Sequence, residues 1–148
     1  MDDLQQEARA LVEIALTAMS HAFRSIEESD GGPMVPFVMT DSESEGRAIY
    51  RFEANSLGHA LDSAQIWIEA ADDEVFRYAF AWDGYITLDD EKWDALFVEA
   101  GNRTLPHGML LCQRYAAESG IRSANRRIGE PMLVEKPDSR LTETVTRH

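Results

Sequence analysis

Cysteine is nearly absent from this chain, which has one, Cys112, in 148 residues. A single thiol excludes an internal disulfide and the multi-cysteine cages that hold structural zinc. Residues 1–7 offer no basic segment leading into an apolar run, and no stretch reaches the ~20 apolar residues that span a bilayer. These absences predict a cytoplasmic protein in a reducing compartment, without a membrane partner.

Positive charge is also scarce. The chain has 14 Lys and Arg against 27 Asp and Glu, a formal net charge of −13. Residues 1–100 carry 22 of the acids and 6 of the bases, whereas residues 101–148 carry 5 acids and 8 bases. An acidic body repels phosphate backbones and attracts basic proteins, so we expect no nucleic-acid partner and a possible basic protein partner.

Sequence motifs that mark catalysis or metal binding are missing. The four histidines show no i, i+4 pair and no H-E-x-x-H, and neither G-x-S-x-G nor a glycine-rich phosphate loop occurs. The acidic runs at residues 72–74 and 89–91 lack the spacing of a calcium loop, so we expect them to face solvent. The sequence therefore names no catalytic residue, no metal site and no cofactor.

Composition and apolar periodicity predict one globular domain over residues 1–136, followed by a flexible tail over residues 137–148. An apolar residue recurs every three or four positions across residues 3–29, which predicts a helix stopped by Gly31-Gly32-Pro33. A second stripe over residues 57–71 predicts another helix, which Asn55 or Ser56 can cap.

Extended runs between and after these stripes predict strands. Asp83-Gly84 is a favoured pair for a two-residue type I′ turn, which predicts a hairpin there. Pro36 predicts an edge position for the first strand, or a proline nitrogen that points away from a partner strand. The predicted strands are Met34–Asp41, Arg47–Ala54, Val75–Trp82, Tyr85–Asp89, Trp93–Ala100, Gly108–Ala116 and, as a short strand or a clamp, Pro131–Val134.

The element order is then α-β-β-α-β-β-β-β, with a possible further strand. It predicts an α+β fold with an antiparallel sheet of about 6–7 strands and two helices packed on one face. The Asp83-Gly84 turn would set the register, with Trp82 opposite Tyr85 and Arg77 opposite Asp90. In that register both sheet faces are largely apolar, so the run near Leu133 or a second copy of the chain should cover the other face. We favour a homodimer.

Two sets of residues are candidate sites. Arg51, Arg77 and Arg114 lie in predicted strands and, with Tyr85, could bind an anionic ligand if they converge. Alternatively each arginine pairs with an acid across strands, as Arg77 with Asp90 and Arg114 with Glu99.

On the second helix, Ile66 falls on the outer side and Trp67 on the flank, which makes them candidate contact residues. The function that these patterns favour is a non-catalytic protein-interaction module, either a dimeric scaffold or an immunity-type partner of a basic protein. The alternative is a protein that binds a small anionic ligand, or an enzyme, using the sheet arginines.

Overall fold

The computed structural model describes residues 3–28, 34–117 and 125–141. They form two helices and a six-stranded antiparallel sheet in the order α-β-β-α-β-β-β-β, which confirms the α+β class. The elements are α1 (Asp3–Glu28), β1 (Phe37–Ser42), β2 (Gly46–Arg51), α2 (Leu57–Glu69), β3 (Val75–Leu88), β4 (Glu91–Asn102), β5 (Met109–Ala117) and β6 (Asn125–Glu135).

The two helices lie on opposite faces of the sheet, whose strand order is β2-β1-β3-β4-β5-β6. Alternate residues of β1 separate into two cores: Phe37 and Met39 pack in the core of α1, and Val38 packs in the core of α2. The prediction that both helices pack on one face was therefore wrong. Successive strand side chains point to opposite faces, and here both sets are apolar because each face has its own helix.

The predicted hairpin at Asp83-Gly84 was also wrong. β3 continues through these residues, with Asp83 opposite Leu96 and Gly84 opposite Ala95 of β4. The chain turns instead at Asp89-Asp90, where both residues have positive φ, 51° and 62°. Aspartate tolerates this left-handed conformation better than most residues, and the later turn allows a longer ladder between β3 and β4.

The later turn changes every cross-strand pair expected around Asp83-Gly84. Trp82 lies opposite Phe97 rather than Tyr85, and Arg77 lies opposite Asn102 rather than Asp90. The fourth predicted strand is the second half of β3, which is why the sheet has six strands. Residues 131–134 belong to β6, so the strand interpretation of that run is confirmed.

β1 is an interior strand between β2 and β3, so the predicted edge position was wrong. Pro36 precedes the strand, where its carbonyl accepts a hydrogen bond from the Phe52 amide at 2.9 Å. A proline at this position removes no donor from the ladder.

Residues 137–141, the first part of the predicted flexible tail, are hydrogen-bonded to the sheet. The Gly108 amide donates to the Pro137 carbonyl at 2.7 Å, and Ser139 Oγ donates to the Asn102 carbonyl at 2.5 Å. Leu141 is buried in the core of α2. Residues 142–148 of the predicted tail, and the predicted stop of the first helix at residues 31–33, lie outside the described residues.

Local signals predicted the two helices well. Ser56 caps α2, since its side chain accepts a hydrogen bond from the His59 amide at 3.2 Å. Neither helix in the described part of the chain is long and apolar enough to cross a membrane. α1 buries one broad stripe against the sheet: Leu11, Ile14, Ala15, Ala18, Met19, Ala22, Phe23 and Ile26.

Candidate functional site

Two adjoining clefts in the described part of the chain share Met34 and Leu57 and together form a groove. The first, which we call the apolar cleft, has a volume of about 450 Å³ and is lined largely by the segment before β1 and the β2–α2 connection. The second, which we call the anionic cleft, has a volume of about 290 Å³ and is lined by the middle of β3 and by β4 and β5. Clefts with an apolar lining and a few polar groups are the usual form of binding sites.

Three adjacent strands place the polar side chains of the anionic cleft. Asp83 and Tyr85 are two residues apart on β3, so they point to the same side of the sheet. Asp94 of β4 lies opposite Tyr85 on one side and opposite Tyr115 of β5 on the other. Two carboxylates and two phenols are thereby brought together from distant parts of the sequence.

Asp83 and Tyr115 are joined by a hydrogen bond, in which Tyr115 Oη donates to Asp83 Oδ1 at 2.8 Å. Burial is the main reason that the pKa of Asp83 is raised; the nearby Asp94 adds to the effect, and the bond from Tyr115 opposes it. Burial also raises the pKa of Tyr115, with a further contribution from Asp83. A carboxylate whose pKa is raised in a cleft is a recognised mark of a functional site.

Tyr85 forms the exposed wall of the anionic cleft, with 63% of its surface accessible. The Nζ of Lys92 lies 3.9 Å from the centroid of the Tyr85 ring. This is a cation–π contact, in which the electron-rich face of the ring attracts an ammonium group. The wall of the cleft therefore already engages a cation of the same chain.

The arginines Arg51, Arg77 and Arg114 do not converge. Arg77 is bound to acids, with Nη1 at 2.6 Å from Asp41 and Nη2 at 3.2 Å from Glu7. The alternative that it pairs with an acid is confirmed, but the predicted partner, Asp90, was wrong.

The other two arginines lie far from Arg77. Arg51 is exposed at the end of β2, opposite Phe37. Arg114 precedes Tyr115 on β5, so it points to the face of the sheet opposite to the anionic cleft. Its guanidinium lies 4.9 Å from the centroid of the Trp93 ring. Neither accompanies Tyr85 in the anionic cleft. The described structure therefore provides no shared anion pocket for these side chains.

The predicted pair of Arg114 with Glu99 is not formed, because Glu99 is bound to other residues. Glu99 is 5% exposed and accepts two hydrogen bonds from Arg140, at 2.7 Å from Nε and 3.1 Å from Nη2. It accepts a third from Tyr78 Oη at 2.7 Å. Burial raises the pKa of Tyr78, and the adjacent Glu99 raises it further. These groups satisfy one another and fasten residues 137–141 to the sheet.

The candidate contact residues on α2 have different environments. Ile66 is 67% exposed, so its proposed role in a contact surface stays a prediction. Trp67 packs within the chain, with its ring 4.7 Å from that of Tyr50 and 5.9 Å from that of Phe52. It stabilises the position of β2 against α2.

Sequence reasoning missed Asp83, Asp94 and Tyr115. Asp83 was assigned to a turn, and the other two carry no local signal because only strand pairing brings them to Asp83.

Cys112 is buried, which raises the pKa of its thiol and makes it a poor nucleophile. Within residues 3–28, 34–117 and 125–141 no group of three or more His, Cys, Asp or Glu side chains could hold a metal ion.

Comparisons with family models, with curated proteins and with solved structures found no match to this chain.

Proposed function

We propose that this chain is a non-catalytic protein-interaction module that binds a basic protein partner. The observation that carries the proposal is the way in which the charged side chains are paired. Arg47, Arg77 and Arg140 are each bound to two acids of the same chain. These clusters contain more acids than arginines, and the rest of the chain also has more acids than bases, so the field outside the molecule is negative overall.

A group of exposed acids, which we call the acidic corner, lies at one end of the sheet. The Glu43 amide donates to the Glu74 carbonyl at 3.0 Å, and this bond joins the β1–β2 loop to the α2–β3 loop. Arg103 also lies here and donates to the Asp72 and Val75 carbonyls at 2.7 and 2.6 Å, so the corner is predominantly rather than purely acidic. A surface with an excess of one sign speeds association with a protein of opposite charge and makes it sensitive to salt. The corner consists of Glu43, Glu45, Asp72, Asp73 and Glu74, all exposed.

The test is capture of partners from a native lysate at low and high salt, followed by affinity measurements on the partner identified. Neutralising Glu43, Asp73 and Glu74 together (Glu→Gln, Asp→Asn) should weaken binding about tenfold at low salt. The control removes three exposed acids elsewhere, Asp89, Glu91 and Asp138. Binding that is indifferent to salt, or equally weakened in both variants, would contradict the proposal.

The proposal includes a homodimer, supported by exposed apolar side chains on one side of the molecule. Val12 and Leu16 on α1 are 41% and 44% exposed, and Leu133 on β6 is 54% exposed. Leu133 lies opposite Leu111, a member of the α1 core, so it is on the face that α1 covers. A second copy packed here would remove all three from water.

Sedimentation equilibrium tests the dimer. Leu16→Glu with Leu133→Glu should shift the protein to monomer, and Ile66→Glu should leave the dimer intact. Dissociation by Ile66→Glu alone would place the interface on α2 instead, and a monomeric wild-type protein would contradict the dimer.

A further inference from the structure

We infer that the groove binds a short segment of the partner in which a Lys or Arg is adjacent to an apolar residue. The basic side chain enters the anionic cleft and the apolar one enters the apolar cleft. The inference rests on the proposed function, because it specifies which part of a basic partner is recognised, and it concerns a surface separate from the acidic corner.

The anionic cleft has the chemistry that a cationic side chain needs. Asp83 is half-buried in the cleft, and Asp94 is exposed at the same cleft. Tyr85 is 63% exposed, and its ring attracts the ammonium of Lys92 at 3.9 Å, which shows that the ring can contact a cation. A ligand ammonium or guanidinium would satisfy the carboxylates and lie against a ring.

The apolar cleft favours an apolar side chain next to the basic side chain of the ligand. Its walls include Val35, Pro36 and Phe52, and it meets the anionic cleft at Met34 and Leu57. Leu57 is 45% exposed at the start of α2, so a ligand that covers it removes apolar surface from water. Because the two clefts share both residues, two side chains that lie close together on one ligand segment can occupy them together.

Three blocked dipeptides serve as probes of the full-length protein: acetyl-phenylalanyl-lysinamide, its norleucine analogue, and acetyl-alanyl-lysinamide. Binding is followed by the shifts of backbone amide signals in ¹H–¹⁵N spectra. We expect saturable shifts at residues 83–85, 94 and 115 with the first peptide. The norleucine analogue lacks the charge and the alanine analogue lacks the ring. Each should bind about tenfold more weakly.

Matched variants test the role of charge. Asp94→Asn should weaken the lysine peptide about fivefold and leave the norleucine peptide unchanged. Asp90→Asn removes the same charge from the β3–β4 turn, outside the groove, and should leave both unchanged. Amide spectra of the unliganded variants show that each is folded.

The inference is overturned if the lysine peptide causes no saturable shift, if its shifts map outside the groove, or if the norleucine peptide binds equally well. These peptides are too short to reach the acidic corner, so failure here leaves salt-dependent capture of a basic partner untouched. Conversely, peptide binding without any captured partner would contradict the proposed function and retain the groove as a site for small amines.

Discussion

Arg77 of β3 and Asp41 of β1 form an ion pair across the two strands, with Arg77 Nη1 at 2.6 Å from Asp41 Oδ2. The two side chains are 12% and 11% exposed. Asp41 also accepts from Arg47 Nε at 2.8 Å, so one carboxylate links β1 to two arginines. Burial by itself raises the pKa of Asp41, but the bonds from Arg47 and Arg77 outweigh it and lower the pKa overall.

Asp41→Asn should lower the free energy of unfolding at neutral pH by roughly 2 kcal/mol, because both arginines lose a charged partner while Arg77 keeps Glu7 and Arg47 keeps Glu13. Urea denaturation measures the change. Asp138→Asn, which alters an exposed carboxylate, is the control and should have little effect.

The pH dependence of the same pair has a definite sign. An acid whose pKa is lowered by folding stabilises the protein above its unfolded pKa of ~3.9, and that contribution is lost as pH falls through the folded value. Glu13, whose pKa the Arg47 hydrogen bond lowers to about 2, acts in the same direction but is largely exposed. The stability difference between wild type and Asp41→Asn should therefore shrink below pH 4, and a constant difference would contradict this assignment.

Asp83→Asn should raise the melting temperature at pH 7. The pKa of Asp83 is raised in the folded protein, so its favourable contribution is present at low pH and is lost as pH rises through the folded pKa. The amide stays neutral and its oxygen can still accept from Tyr115 Oη. The gain should vanish near pH 3, where wild-type Asp83 is protonated in both states.

Calorimetry at pH 7 and pH 3 checks this expectation, with Asp90→Asn as the control. A stabilised Asp83→Asn protein that binds the lysine peptide less well would mean that the carboxylate is retained for binding at the expense of stability. A variant destabilised at pH 7 would mean that Asp83 has a structural role instead.

Local patterns were sufficient for the helices and for the order of elements. The apolar stripe of α1 and the Ser56 cap of α2 depend on neighbours within four residues, so the sequence displays them directly. The hairpin at Asp83-Gly84 could not be decided in this way. Its dipeptide favours a turn, but Asp89-Asp90 also accepts positive φ, and the choice depends on pairing with β4 across the whole strand.

The site was harder to predict for the same reason. Asp83, Asp94 and Tyr115 lie on three strands, and one incorrect turn moves Tyr85 to the wrong face. The face of the sheet that each helix covers could not be predicted either. Val38 and Met39 are both apolar, and a sequence does not show which helix covers which of them.

Arg140→Ala should lower the free energy of unfolding by about 3 kcal/mol, because it leaves Glu99 buried without its cation. Urea denaturation of Arg140→Ala and of Lys136→Ala, an exposed control, measures the effect. Adding Glu99→Gln to Arg140→Ala should recover part of the loss, since the uncompensated charge is removed. Additive losses in the double variant would mean that the two side chains act independently.

Asp90→Gly should raise the free energy of unfolding by roughly 0.5 kcal/mol, because glycine adopts the positive φ of 62° without the steric strain that a side chain brings. Gly46→Ala is the matched opposite. Gly46 has a φ of 67° and open space around the position of a Cβ, so a loss of about 1 kcal/mol there would report backbone strain alone. Urea denaturation of both variants measures these changes. Destabilisation by Asp90→Gly would mean that the conformational entropy of glycine in the unfolded chain outweighs the relief of strain at this φ.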